Sequence, residues 1–118
     1  MNCLNQIILE GNIVKMDYEE IGDIKLPRVN IVLAVDRKFK DIDGEWKSEV
    51  SYFDIEAYSL LANKVYDYGC KGRGIRVVGR LALKRWTDDE GKEYARVYVV
   101  AEHIDFKPMA KDFDKEEE

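Results

Sequence analysis

One stretch of this chain changes its hydrophobic period, and its position limits the folds available. Between residues 60 and 68, Leu61, Val65 and Tyr68 recur at i, i+4 and i+7, the spacing of a short amphipathic helix. Ser59 is placed to cap its start and Gly69 to stop it. Three strand-like stretches precede this helix and two follow. Residues 4–14 hold the apolar run IIL and then Gly11, which predicts a first strand with a bend or bulge. Residues 29–35, VNIVLAV, are β-branched and predict a second strand, and residues 50–58 a third. Residues 75–86 and 94–101 alternate as a fourth and fifth, the last continuing towards Phe106. The connections read as a loop or small hairpin over residues 17–27, a long charged hairpin loop around Asp43-Gly44, and a turn-rich loop, TDDEGK, over residues 87–92.

Five strands with a single helix between the third and fourth predict an all-β, five-stranded OB-fold barrel, since an up-and-down barrel has no need of that helix. At 118 residues the chain has room for one core. The barrel is expected to occupy residues 1–108, and residues 109–118 to form an acidic, disordered tail. No apolar stretch reaches the roughly 20 residues of a membrane span, and the first residues lack a signal-peptide pattern, so a cytoplasmic protein is expected. Cys3 and Cys70 form no ligand cluster and read as free thiols, with a disulfide as the alternative.

The net charge of −5 argues against an anionic partner until its distribution is considered. Residues 112–118, DFDKEEE, hold five acids and one lysine, so the rest of the chain is close to neutral. Within it, Lys71, Arg73, Arg76, Arg80, Lys84 and Arg85 fall in one stretch without an acid. Such a run suits a phosphate-binding face, and equally a solvated strand face.

Strand parity sharpens that choice. In IRVVGRLALKRW, Ile75, Val77, Leu81 and Leu83 point one way, and Arg76, Arg80, Lys84 and Trp86 the other. A large indole among cations is misplaced for a core and well placed for a nucleobase, where stacking is worth roughly 1–3 kcal/mol per base. The third strand repeats the pattern, with Phe53, Ile55 and Ala57 on the apolar face and Tyr52, Asp54, Glu56 and Tyr58 on the other. Its two acids would repel phosphate unless paired with neighbours such as Arg76 or Arg80. Phe39 falls by parity with Val29, Ile31, Leu33 and Val35, which favours core packing unless the strand bulges near Arg37. Trp46 and Tyr94 border loops and stay open between surface rings, partner contacts and additional platforms.

The chain also resembles the bacterial-type single-stranded DNA-binding protein family over about residues 2–106. The resemblance rests on NQIILEGN at 5–12, LAVDRKFK at 33–40, GEW at 44–46, YFDI at 52–55, LA at 61–62, KG at 71–72, VVGRL at 77–81, RWTDDEGK at 85–92 and VVAEHIDF at 99–106. It implies an OB-fold, a homotetramer, with a dimer as the alternative, and a single-stranded DNA partner. Base stacking is implied at Phe39, Tyr52, Tyr58 and Trp86, the Tyr58 position carrying Trp or Phe in many members. Phosphate contacts are expected at Arg37, Lys38, Lys71, Arg73, Arg76, Arg80, Lys84 and Arg85. Bacterial members add a linker and an acidic tip ending in Pro-Phe that recruits replication and repair proteins. Here DFDKEEE follows the barrel without that ending, so tail-mediated docking is not expected, although Phe113 among acids resembles such a tip.

Catalysis finds little support. His103 is the sole histidine and lies in an apolar-rich stretch, KGRG at 71–74 lacks the phosphate-cradling motif, and no metal-ligand spacing or cofactor signature is present. The remaining alternatives are a primosomal or other partner-binding module, which would have lost the stacking rings, and a barrel that binds RNA or oligosaccharide.

Overall fold

The computed structural model describes residues 3–108; the expected acidic tail at 109–118 lies outside them. Five strands, β1 (Ile7–Ile21), β2 (Leu26–Lys40), β3 (Trp46–Tyr58), β4 (Gly74–Thr87) and β5 (Glu93–Phe106), and one helix, α1 (Ser59–Tyr68), follow the predicted order. The strands close into a barrel in the order β1-β2-β3-β5-β4. All pairings are antiparallel except β3 with β5, where Ile55 faces Val99 and Glu56 faces Val100. A parallel pair needs a long crossover, and α1 with β4 supplies it. The architecture is the OB-fold barrel predicted from the order of the elements.

The core is the inward face of alternating strands. Ile13, Val29, Ile31, Leu33, Ile55, Ile75, Val77, Val99 and Ile104 are buried, with Ala62 and Val65 of the helix. Tyr18 ties β1 to that helix, donating its hydroxyl to Asn63 Oδ1 at 3.1 Å and packing its ring 4.6 Å from that of Tyr66. Two glycines let strands meet at the closure: a Cβ on Gly11 would fall on the Ala34 carbonyl, and one on Gly79 on that of Val100. The bulge expected at Gly11 lies instead between Ile13 and Lys15.

The strands run well past their predicted ends. Residues 17–27 form the small hairpin, one of the two expectations there, and residues 37–49, expected as a long hairpin loop, are largely paired arms; pairing runs down to Ile21↔Leu26 and Lys40↔Trp46. Their charges obscure the strand pattern because these arms leave the barrel and meet water on both faces. For the same reason Leu83, read as core, is exposed, as is Leu81, whose backbone is clipped by Asn5 through bonds of 2.9 and 3.0 Å.

The helix ends also differ from expectation. Tyr58 occupies the N-cap position, no side chain caps the first turn, and Ser59 adopts a left-handed φ of 58°. Strand β3 passes straight into α1 through that one residue. Gly69 does stop the helix, donating its N–H to the Val65 carbonyl at 2.7 Å. Tyr68, predicted on the buried face, is exposed, and Ala62 takes its place.

Candidate nucleic-acid interface

Strand alternation and register together build one continuous outer face over β3, β5 and β4. On β3 it carries Tyr52, Asp54, Glu56 and Tyr58. Antiparallel pairing of β4 with β5 sets Trp86 opposite Tyr94, Lys84 opposite Arg96, Ala82 opposite Tyr98 and Arg80 opposite Val100. The parallel register of β3 with β5 joins the halves. Tyr52 and Trp86 are 65% and 44% exposed, while Tyr58 is half-buried.

Phe39 stands apart from this set. It faces Lys47 in the register, on the opposite side of the β2–β3 arm from Tyr52. The arm has left the barrel there, so the ring is half-buried under the Arg37 guanidinium, 4.7 Å from its centroid, rather than packed in the core.

The two acids on the outer face are neutralised, by partners other than the arginines expected. Asp54 pairs with Arg96 and Glu56 with Arg28 at 3.6 Å, not with Arg76 or Arg80. The Tyr58 hydroxyl donates to Glu56 at 2.9 Å, and burial together with that carboxylate pushes the phenol up from its ordinary value. Arg28 also reaches Glu19 at 3.2 Å. Arg28, Asp54, Glu56 and Arg96 line a polar groove that also takes in Lys84 and Tyr98.

The predicted phosphate contacts divide by their present partners. Arg37 meets Glu49 at 3.4 Å and Arg80 meets Glu102 at 3.5 Å. Arg76 meets Glu10 at 2.6 Å, and that hydrogen bond, with Lys107 at 3.3 Å, holds the Glu10 carboxyl below its usual range. Arg73 donates to the carbonyls of Lys107 and Tyr68. Lys38, Lys71, Lys84 and Arg85 are in no ion pair among the described residues, and all four are exposed. The basic run also spreads along the fold: Lys71 and Arg73 precede β4, whereas Trp86 lies near its other end, roughly 40 Å away at strand spacing.

Three functional candidates went unread or undecided in the sequence. Tyr98 and Arg96 share the outer face, a placement legible in the alternation of YARVYVV. Tyr94, whose role the sequence leaves open, stacks on Trp86 with centroids 5.4 Å apart and planes 13° from parallel. Its hydroxyl donates to Asp88 Oδ2 at 3.0 Å, and the pair borders a shallow depression with Arg85 and Glu93.

Exposed rings over a charge-balanced strand face that carries the unpaired Lys84 can stack bases and neutralise phosphates. Comparison with known proteins leads the same way. A single-stranded DNA-binding protein of Aquifex aeolicus is 33% identical over 98% of this chain and 79% of its own length. One of Wolinella succinogenes is 34% identical over 85% of this chain, which spans 62% of that protein. The solved structure of the wild-type single-stranded DNA binding protein from Thermus aquaticus superposes with a TM-score of 0.74 at 30% identity, covering 89% of this chain and 50% of that one. The family model described as the single-strand binding protein family matches residues 4–107, and the chain belongs to that family.

Proposed function

We propose that this chain binds single-stranded DNA without reading its sequence. Bases stack on Tyr52, Tyr58 and Trp86, and on Phe39 at the reverse of the β2–β3 arm. The backbone follows Lys38, Lys84 and Arg85, and Lys71 at the far end of β4. Arg37, Arg76 and Arg80 join by exchanging a carboxylate for a phosphate oxygen, and Arg73 by turning from its carbonyls. The observation that carries this reading is the sharing of one outer face by Tyr52, Tyr58 and Trp86, with the acids between them held in ion pairs. Stacking on protein rings competes with base pairing, so a bound strand is kept from refolding and is shielded in replication, recombination and repair. The mechanism uses no cofactor and makes the chain a binding protein rather than an enzyme.

The same proposal includes a cytoplasmic setting and a homotetramer. Among the described residues no helix is long and apolar enough to cross a membrane. Support for self-association comes from Leu81, Leu83 and Val97, which leave an apolar strip exposed on the overhanging β4–β5 hairpin. Sedimentation equilibrium tests the assembly: the mass of four chains is expected, and that of two chains or of one would contradict the tetramer. Competition among oligo(dT), oligo(U) and duplex DNA tests the ligand: oligo(dT) should displace a labelled strand best. Equal displacement by duplex would contradict the stacking mechanism, and stronger displacement by oligo(U) would favour RNA.

A further inference from the structure

We propose that Trp46 is an additional base-stacking platform for single-stranded DNA, extending the path beyond Tyr52 along the β2–β3 arm; this rests on the reading above. Trp46 opens β3 and is 71% exposed. Alternation places it on the face of Tyr52, six residues on, so the two rings lie roughly 20 Å apart along the strand. That span takes about six nucleotides at stacked spacing, within the range covered by one OB barrel.

The ring is set up on one side only. The register places Lys40 opposite Trp46, and its ammonium stands 5.5 Å from a ring centroid, leaving the other face of the indole for a base. Lys38 lies opposite Ser48, and Lys38, Trp46, Lys47 and Ser48 line a shallow hollow of about 350 Å³. Among the described residues neither Lys38 nor Lys40 is in an ion pair. The acid nearest in sequence to Lys40 is turned away from this role. Asp41 accepts the N–H groups of Asp43 and Glu45 at 3.0 and 2.9 Å on one oxygen and meets Lys47 at 3.6 Å with the other. Asp36, opposite Val50, is the carboxylate on this face between Trp46 and Tyr52, and it works against phosphate there. An exposed indole with a cation on one side and a shallow hollow beside it meets the needs of a stacked nucleotide, whereas a structural ring would be covered.

The chain has two tryptophans, Trp46 and Trp86, so each can be isolated as a reporter. Trp86→Phe leaves Trp46 to report and Trp46→Phe leaves Trp86. Each is titrated with oligo(dT) of about 30 nucleotides, roughly twice the largest site of one barrel. The expected result is quenching of Trp46 emission by about twofold at saturation, together with a loss of at least about fivefold in affinity for Trp46→Ala and recovery in Trp46→Phe. Unchanged Trp46 emission while Trp86 is quenched would overturn the platform and leave the broader reading intact. Silence from both would overturn the two together. A Trp46 signal that follows protein concentration without DNA would assign the ring to contact between copies and overturn the proposal.

Discussion

The Trp86 indole lies almost parallel to the Tyr94 ring, 5.4 Å between centroids, and Tyr94 is itself held by Asp88 through its hydroxyl. Asp88 also closes the β4–β5 turn, accepting the N–H groups of Glu90 and Lys92 at 2.9 Å each. The turn therefore fixes one face of the indole and leaves the other for a base. Tyr94→Leu should weaken oligo(dT) binding by roughly 0.5–1.5 kcal/mol, the worth of an aromatic pair, while Tyr94→Phe retains most of it. In a Trp86→Ala background Tyr94→Leu should have no further effect on binding; an additive loss would separate the two rings.

Paired and unpaired cations should differ in their salt dependence. Removing a lysine that meets a phosphate lowers the slope of log affinity against log salt by about 0.7 on a single strand, and Lys84→Ala is expected to show that change. Arg80→Ala should change it less, because phosphate must first displace Glu102. Glu102→Gln should accordingly tighten binding at low salt. Titrations at several salt concentrations measure both, and a slope for Lys84→Ala equal to that of the parent would remove Lys84 from the track.

The ion pairs on the outer face predict a charge cycle. Arg96→Ala strips Asp54 of its partner and should weaken DNA binding through repulsion, and adding Asp54→Asn should restore most of the loss. If Asp54→Asn restores nothing, Arg96 acts by touching DNA itself.

Acid should loosen the barrel closure at β1 and β4. The Glu10 carboxyl is held below its ordinary 4.5 by its hydrogen bond with Arg76 and then by Lys107. A depressed carboxylate contributes stability that is full above the unfolded value and is lost as pH falls from about 4.5 through the lower folded value. Denaturant unfolding of Glu10→Gln between pH 3 and pH 6, roughly the carboxylate range, should show a shallower decline than the parent on the acid side. Parallel curves would take Glu10 out of the pH dependence.

Where a residue's role depends on the chain near it, the sequence shows it; where it depends on register, it does not. The helical spacing of residues 60–68 located α1, and alternation placed Tyr52, Tyr58 and Trp86 outward. The hairpins themselves are legible, but the length of their paired arms is not, because apolar alternation ends where the strands leave the core while pairing continues to Lys40↔Trp46. The partners of Asp54 and Glu56 depend on the pairing of β3 with β5 and β2, contacts far apart in sequence, so the nearer basic run offered the wrong arginines. Ser59 looked like a cap because its residue type suits one, yet the strand enters the helix without a side-chain bond.

The most direct measurement is the affinity of Trp86→Ala for oligo(dT), by fluorescence anisotropy of a labelled strand at fixed salt, with circular dichroism to confirm the fold. Loss of a stacked base predicts a weakening of roughly 1–3 kcal/mol, about 5-fold to 150-fold in Kd. A folded Trp86→Ala protein that binds as tightly as the parent would contradict the account.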